Sequence, residues 1–164
     1  KDKEGFQMRL PFLLASVFGL LAATGVSACP NTNLYGDSYE LSGSDLYNPQ
    51  SVSVVAGGDQ QIANCGINFG SDKGTGYVTV EPDFSLSLSG MQNYKLAISV
   101  VSECDAILLI NTGAVNWYYD DDDNGNYDPI ITLTRPSNGW LDIWVGTHDG
   151  QLCDAVLTLE TFKR

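Results

Sequence analysis

The densest chemistry in the chain lies at residues 120–128, Asp-Asp-Asp-Asp-Asn-Gly-Asn-Tyr-Asp. With Asp120 as position 1 of a calcium loop, Asp122 is position 3, Asn124 position 5, Gly125 position 6, Asn126 position 7 and Asp128 position 9. In this D-x-D-x-N-G phase alternate residues converge on one ion, glycine makes the sharp turn, and position 7 needs only its backbone carbonyl. Every candidate ligand is an oxygen, and Ca²⁺ takes about six to eight of them. The aspartates also repel one another. At separations of roughly 4–6 Å each pair costs about 1 kcal/mol or more near a protein surface. A divalent cation turns that cost into binding energy, and a solvated acidic turn without an ion is the alternative.

The loop departs from an EF-hand. Position 12, where a bidentate Glu would stand, is Ile131, inside the strand-like run Pro129-Ile130-Ile131-Thr132-Leu133. The expectation is therefore a strand–loop–strand calcium site, structural rather than sensory. A further ligand would have to come from Asp142, Asp149 or Asp105. Asp121 and Asp123 alternate outward, where they would either support the ligands from behind or face solvent.

Other chemistry is sparse. The one histidine, His148, stands in a turn-like Gly-Thr-His-Asp-Gly segment without a nucleophile motif, so a Ser-His-Asp triad is not indicated. Glu40, Glu81, Glu103 and Glu160 show no glycosidase pattern. A hydrolase is the least favoured reading, and no catalytic residue is assigned. Trp140 and Trp144 fall on one face of a strand with Asp142. They would suit a carbohydrate-binding face if exposed, and a covered face if buried, which is the commoner fate of tryptophan. The partner is expected to be an unidentified protein or glycan.

The four cysteines after position 28 are Cys29, Cys65, Cys104 and Cys153. An even number in an exported chain favours two disulfides, and no spacing fits zinc. Sequence allows three pairings, of which Cys29–Cys65 and Cys104–Cys153 are preferred. The second rests on an echo: Glu-Cys-Asp-Ala-Ile-Leu-Leu at 103–109 resembles Leu-Cys-Asp-Ala-Val-Leu-Thr at 152–158. Two such strands side by side would bring their cysteines together.

The elements that must position these residues follow from punctuation and periodicity. Residues 1–28 read as a signal peptide with an N-terminal extension: Met8-Arg9, an apolar run from Leu10, then Val-Ser-Ala before Cys29. The chain is expected to be secreted or periplasmic, without a membrane span after cleavage. A lipoprotein anchored at Cys29 is the alternative, because Val-Ser-Ala-Cys also resembles a lipobox. Residues 29–164 carry 5 basic and 18 acidic side chains, net −13, which argues against nucleic acid. Turn formers recur along this part, and no helical period is sustained. Strands are expected at 50–56, 76–80, 83–89, 94–101, 106–110, 116–119, 129–133, 140–145 and 153–162, with 30–49 an irregular wrap. The Phe84, Leu86, Leu88 alternation marks a half-buried antiparallel strand. The fold class is all-β, a single antiparallel β-sandwich or jelly roll over 29–164.

The run Cys104–Asn111, Asn116–Gly125, Asp128-Pro129 and Gly139–Thr147 resembles the bacterial pre-peptidase C-terminal domain over roughly residues 77–162. That resemblance implies a calcium-bound jelly roll serving as a non-catalytic accessory to secreted enzymes. The chain lacks any protease segment, so a peptidase label would describe a neighbour.

Overall fold

A computed structural model describes residues 29–70 and 73–164. The signal-peptide expectation lies outside these residues. Eleven strands form among them: β1 Asp37–Ser42, β2 Gln50–Ala56, β3 Gln60–Gln61, β4 Tyr77–Val78, β5 Phe84–Ser89, β6 Tyr94–Ser102, β7 Ala106–Thr112, β8 Trp117–Asp120, β9 Ile130–Leu133, β10 Gly139–Thr147 and β11 Cys153–Lys163. The helical pieces described are three-residue 3-10 turns. Among the described residues no helix is long and apolar enough to cross a membrane.

Two sheets stack into a sandwich. One has the order β1-β5-β10-β4-β3, with β7 on the other edge of β10 and β8 beyond it; the other runs β2-β11-β6-β9. All pairs are antiparallel except β1 with β5, which is parallel. This departs from the all-antiparallel expectation, and it converts part of the irregular wrap into an edge strand.

Period-2 alternation builds the core. Phe84, Leu86 and Leu88 of β5 meet Leu96, Ile98 and Val100 of β6, Leu141, Ile143 and Val145 of β10, and Leu157 and Leu159 of β11. Strand β7 is apolar throughout because it is covered twice. Ala106, Leu108 and Ile110 face this core, while Ile107 and Leu109 face a second, smaller cluster on the outside of the sheet. Ile62, Val78, Tyr119 and Trp144 complete that cluster, with Phe69 and Trp117 packed against it. The cover comes from the segment between β3 and β4, which the Cys29–Cys65 disulfide ties to the start of the domain.

The second disulfide is Cys104–Cys153. The preferred pairing holds, but the reason given from sequence does not. Strands β7 and β11 lie in different sheets. Cys104 sits on the 103–105 corner that leaves β6, and β11 begins beside that corner, with Ala155 opposite Ser102. With its sulfur in a bridge, Cys29 cannot carry a lipid thioether, so the anchored alternative falls away. Two formed disulfides fit an oxidising compartment, and the chain is a secreted or periplasmic protein.

Candidate functional site

The strand register gathers the acidic segments at one end of the sandwich. Thr147 pairs with Ala106, Asp120 with Leu108 and Ser102 with Ala155, so the connections 103–105, 121–129 and 148–152 emerge together. Four of the five basic residues after position 28 lie at the other end. Lys95 is opposite Phe162, Lys163 is opposite Tyr94, Arg164 bonds Asn93, and Arg135 follows Leu133, whose partner is Leu96.

Asp120 ends β8 and closes the loop. Its Oδ2 accepts the N–H of Ile130 at 2.7 Å and of Asp123 at 3.3 Å, pinning the return strand and the first turn with one oxygen. Within the loop the N–H of Gly125 donates to the Asp122 carbonyl at 3.2 Å and that of Asp128 to Gly125 at 3.0 Å. The N–H of Asn124 donates to the Asp128 carbonyl at 2.9 Å. Gly125, Asn126 and Tyr127 follow one another at φ 78°, 56° and 61°. Glycine holds this left-handed conformation freely, asparagine tolerates it, and tyrosine does so at a cost of order 1 kcal/mol. The turn is thus as sharp as the glycine at position 6 implies.

The expected ligands divide into two kinds. Asp128 is buried, and its Oδ1 accepts the Ser102 N–H at 2.9 Å, fastening the loop to the end of β6. Asn124 Nδ2 reaches the Val100 carbonyl at 3.5 Å on the same strand. Asp122 and Asn126 are exposed. Among the described residues, no group of three or more His, Cys, Asp or Glu side chains is gathered as metal ligands. In kind the donors fit a hard cation, since all are oxygens and the bonds of Asp120 and Asp128 each use only one carboxylate oxygen.

Electrostatic crowding is evident. Burial first, then Asp123 and Asp121, push the Asp120 carboxyl up to about 6, against the N–H groups of Ile130 and Asp123. Asp121 is raised by burial, by Asp122 and by Asp105. It does not simply face outward, because it accepts the Tyr119 hydroxyl at 3.3 Å. Burial pushes that phenol up to about 12, with Asp121 adding to the shift. Of the three candidates for a further ligand, Asp105 is the one whose charge reaches the loop. Asp149 holds the backbone and side-chain nitrogens of Gln151, each at 3.0 Å. Asp142 lies on the outer face of the β5–β10 sheet, where its Oδ1 accepts the Ser85 hydroxyl at 2.7 Å.

The Trp140–Trp144 row is corrected. Trp144 is 0% exposed, under Trp117 with ring centroids 5.4 Å apart, whereas Trp140 is 50% exposed and tilted against Tyr35 at 5.6 Å. The residues between β3 and β4 cover one indole and leave the other open. Nearby, Asn111, with its amide oriented by its hydrogen-bond network, accepts from Trp117 Nε1 at 3.1 Å. His148 is exposed in its turn, where its backbone N–H donates to the Asp105 carbonyl at 2.9 Å. Glu40 on β1, Glu81 before β5, Glu103 at the acidic end and Glu160 on β11 stand on separate elements.

Two features escaped sequence reasoning. The first is the buried Ser85–Asp142 pair, which also receives the N–H of Gly36 on Ser85 Oγ at 3.3 Å and so seats the chain leading into β1. The second is Asp83, whose carboxylate completes the sheet. No motif marks either. The one signal is a carboxylate or serine within an otherwise apolar strand neighbourhood.

No known family model matches the chain, and no curated protein matches it. Among solved structures, it is similar in outline to the periplasmic inhibitor of g-type lysozyme from Aeromonas hydrophila. The identity is 8% over 78% of this chain and 98% of that one, with a TM-score of 0.45. The corresponding Salmonella Typhimurium inhibitor gives 12% identity over 77% and 99%, with a TM-score of 0.43. Likeness of this degree carries no argument about function.

Proposed function

We propose that the chain is an exported binding domain stabilised by calcium at residues 120–128, with no catalytic step of its own. The observation that supports it is the loop itself. A strand–loop–strand connection carries the D-x-D-x-N-G phase, makes its turn at Gly125 and is closed by one oxygen of Asp120. Asp120, Asp122, Asn124 and Asp128 would hold the ion with side-chain oxygens, and Asn126 with its carbonyl. The ion would supply charge neutralisation at the crowded end of the sandwich. The same segment carries the resemblance to pre-peptidase C-terminal domains, under which the chain assists a secreted enzyme.

The test is thermal unfolding with EGTA or with calcium. Sites of extracellular modules bind at Kd of roughly 0.1–1 mM. In 10 mM calcium, about 10–100 Kd, the linkage is about 1.4–2.7 kcal/mol, which raises the Tm by about 5–10 °C for a domain of this size. An unchanged Tm in 10 mM calcium would remove the proposal.

A glycan-binding reading keeps only Trp140 and Tyr35, both exposed and in contact. It predicts glycan-array hits that Trp140→Ala abolishes.

A further inference from the structure

The outer face of the β2–β11–β6 sheet is mixed along most of its length, with Ser51, Ser53, Ser99 and Thr158 beside Lys95 and Glu160, but its acidic end is aliphatic. Val156 of β11 is opposite Val101 of β6, and Val55 of β2 is opposite Asp154, one step diagonally from Val156. Leu152 continues the surface, since it lines the same depression as Val55. These four side chains are between 41% and 72% exposed. Aliphatic side chains scattered singly on a surface need no explanation, whereas a contiguous group with a polar rim marks a contact site.

The rim is of one sign. Glu103, Asp105, Asp149 and Asp154 line the two adjoining depressions, and no Lys, Arg or His does. Both depressions meet at Val55, Glu103 and Asp154, so the apolar group and the carboxylates form one continuous surface. Four of the chain's five basic residues after position 28 stand at the opposite end, and the carboxylates here have no cation among the residues that line the two depressions. The Cys104–Cys153 bridge lies within the first depression and holds its two sides in place.

We infer that the surface formed by Val55, Val101, Leu152 and Val156, with its rim of Glu103, Asp105, Asp149 and Asp154, docks a basic protein segment in which an apolar side chain is flanked by Lys or Arg. The inference deepens the binding-domain reading and rests on it. The apolar side chain covers the valines, and the flanking cations meet the carboxylates. Complementary charge of this kind speeds encounter and rejects wrong partners. Among the wrong partners is a second copy of this chain, because self-pairing would bring carboxylate rim against carboxylate rim. Anionic lipid and nucleic acid are repelled for the same reason.

The experiment uses a random dodecapeptide library displayed on phage as the probe and the full chain as bait. Retained peptides are synthesised and their Kd measured by fluorescence anisotropy. The expected consensus has two or more Lys or Arg around Leu, Phe or Trp. Its Kd rises at least tenfold for Val101→Ser/Val156→Ser. The same rise is expected for Glu103→Gln/Asp154→Asn, whose isosteric changes leave the fold intact, and at 0.5 M salt. Neutral or acidic consensus peptides, or binding that both double variants preserve, would overturn the surface and leave the binding-domain reading standing. Retention of no peptide above background also overturns it, and the calcium melt then decides the stabilising site separately.

Discussion

Replacing Asp83 with Asn should flatten the pH dependence of stability. Strand β10 is paired by β5 as far as Ile143 and by β4 at Thr147, which leaves Val145 in the gap. Its N–H is taken by Asp83 Oδ2 at 2.7 Å and its carbonyl by the N–H of Gly57 at 3.1 Å. The carboxylate thus stands in for a strand carbonyl. Burial at this position pushes the carboxyl from 3.8 up to about 6, with Asp37 adding to the shift and the Val145 N–H opposing it. A carboxyl raised in the folded state binds its proton more tightly there. Its contribution to stability is fully present below the unfolded value and is lost as the pH rises through about 6. The whole span is worth roughly 3 kcal/mol, of which roughly 1.3 kcal/mol falls between pH 5 and pH 7. Asp120, Asp121 and Asp142 are raised as well, so the domain as a whole should be more stable at pH 5 than at pH 7. Urea unfolding in EDTA, followed by tryptophan fluorescence with the disulfides intact, measures this. Asp83→Asn keeps an acceptor for Val145 and should lose roughly 1.3 kcal/mol of the difference between the two pH values. Asp83→Ala leaves that N–H unpaired and should cost roughly 1–3 kcal/mol at both. An identical pH dependence in the wild type and Asp83→Asn would show that the Asp83 carboxyl does not carry this proton linkage.

Other outcomes follow from the same geometry. Trp144→Ala removes a fully buried indole from the outer cluster and should cost about 3–5 kcal/mol in a urea melt, whereas Trp140→Ala should change stability by less than about 1 kcal/mol. Cys29→Ser/Cys65→Ser opens a loop spanning 36 residues, and the chain-entropy relation gives a loss of roughly 3–4 kcal/mol by the same assay. Asp128→Ala should destabilise by about 1 kcal/mol even in EGTA, because the half-buried Ser102 N–H loses its acceptor. Asp122→Ala, on an exposed side chain, should leave the EGTA melt unchanged and abolish the calcium-induced rise in Tm.

Much of the sandwich was legible because alternation and turn residues are local. Gln50–Ala56 is bounded by Gly57-Gly58 and forms the strand those residues mark, and Phe84, Leu86 and Leu88 alternate onto the core, although Ser85 on the other face is buried too and β5 pairs parallel to β1. Strand β1 was missed because Asp37–Ser42 is an edge with mostly exposed, polar side chains, and its partner β5 is distant in sequence and runs parallel to it. The fate of Trp144 could not be read locally either. Its strand shows which residues share a face but not that residues between β3 and β4 fold back over that face. The disulfide pairing was found through a sequence echo that has no structural counterpart, since the two echoing strands belong to different sheets. Within the acidic loop, the phase located the turn at Gly125 but gave no sign that Asp120 closes the loop on the N–H groups of Asp123 and Ile130. It did not show that Asp128 and Asn124 turn toward β6, because that depends on the far partners Ser102 and Val100.

Calcium at residues 120–128 is what the proposed stabilised binding domain requires. Isothermal titration of the calcium-stripped protein at pH 7.5, run beside Asp122→Ala, reads it without reference to stability. The wild type should show a single calcium site with a Kd near 0.1–1 mM, and Asp122→Ala should give no saturable heat. A wild type that shows no saturable heat, or an Asp122→Ala variant that titrates as the wild type does, would contradict a calcium site there.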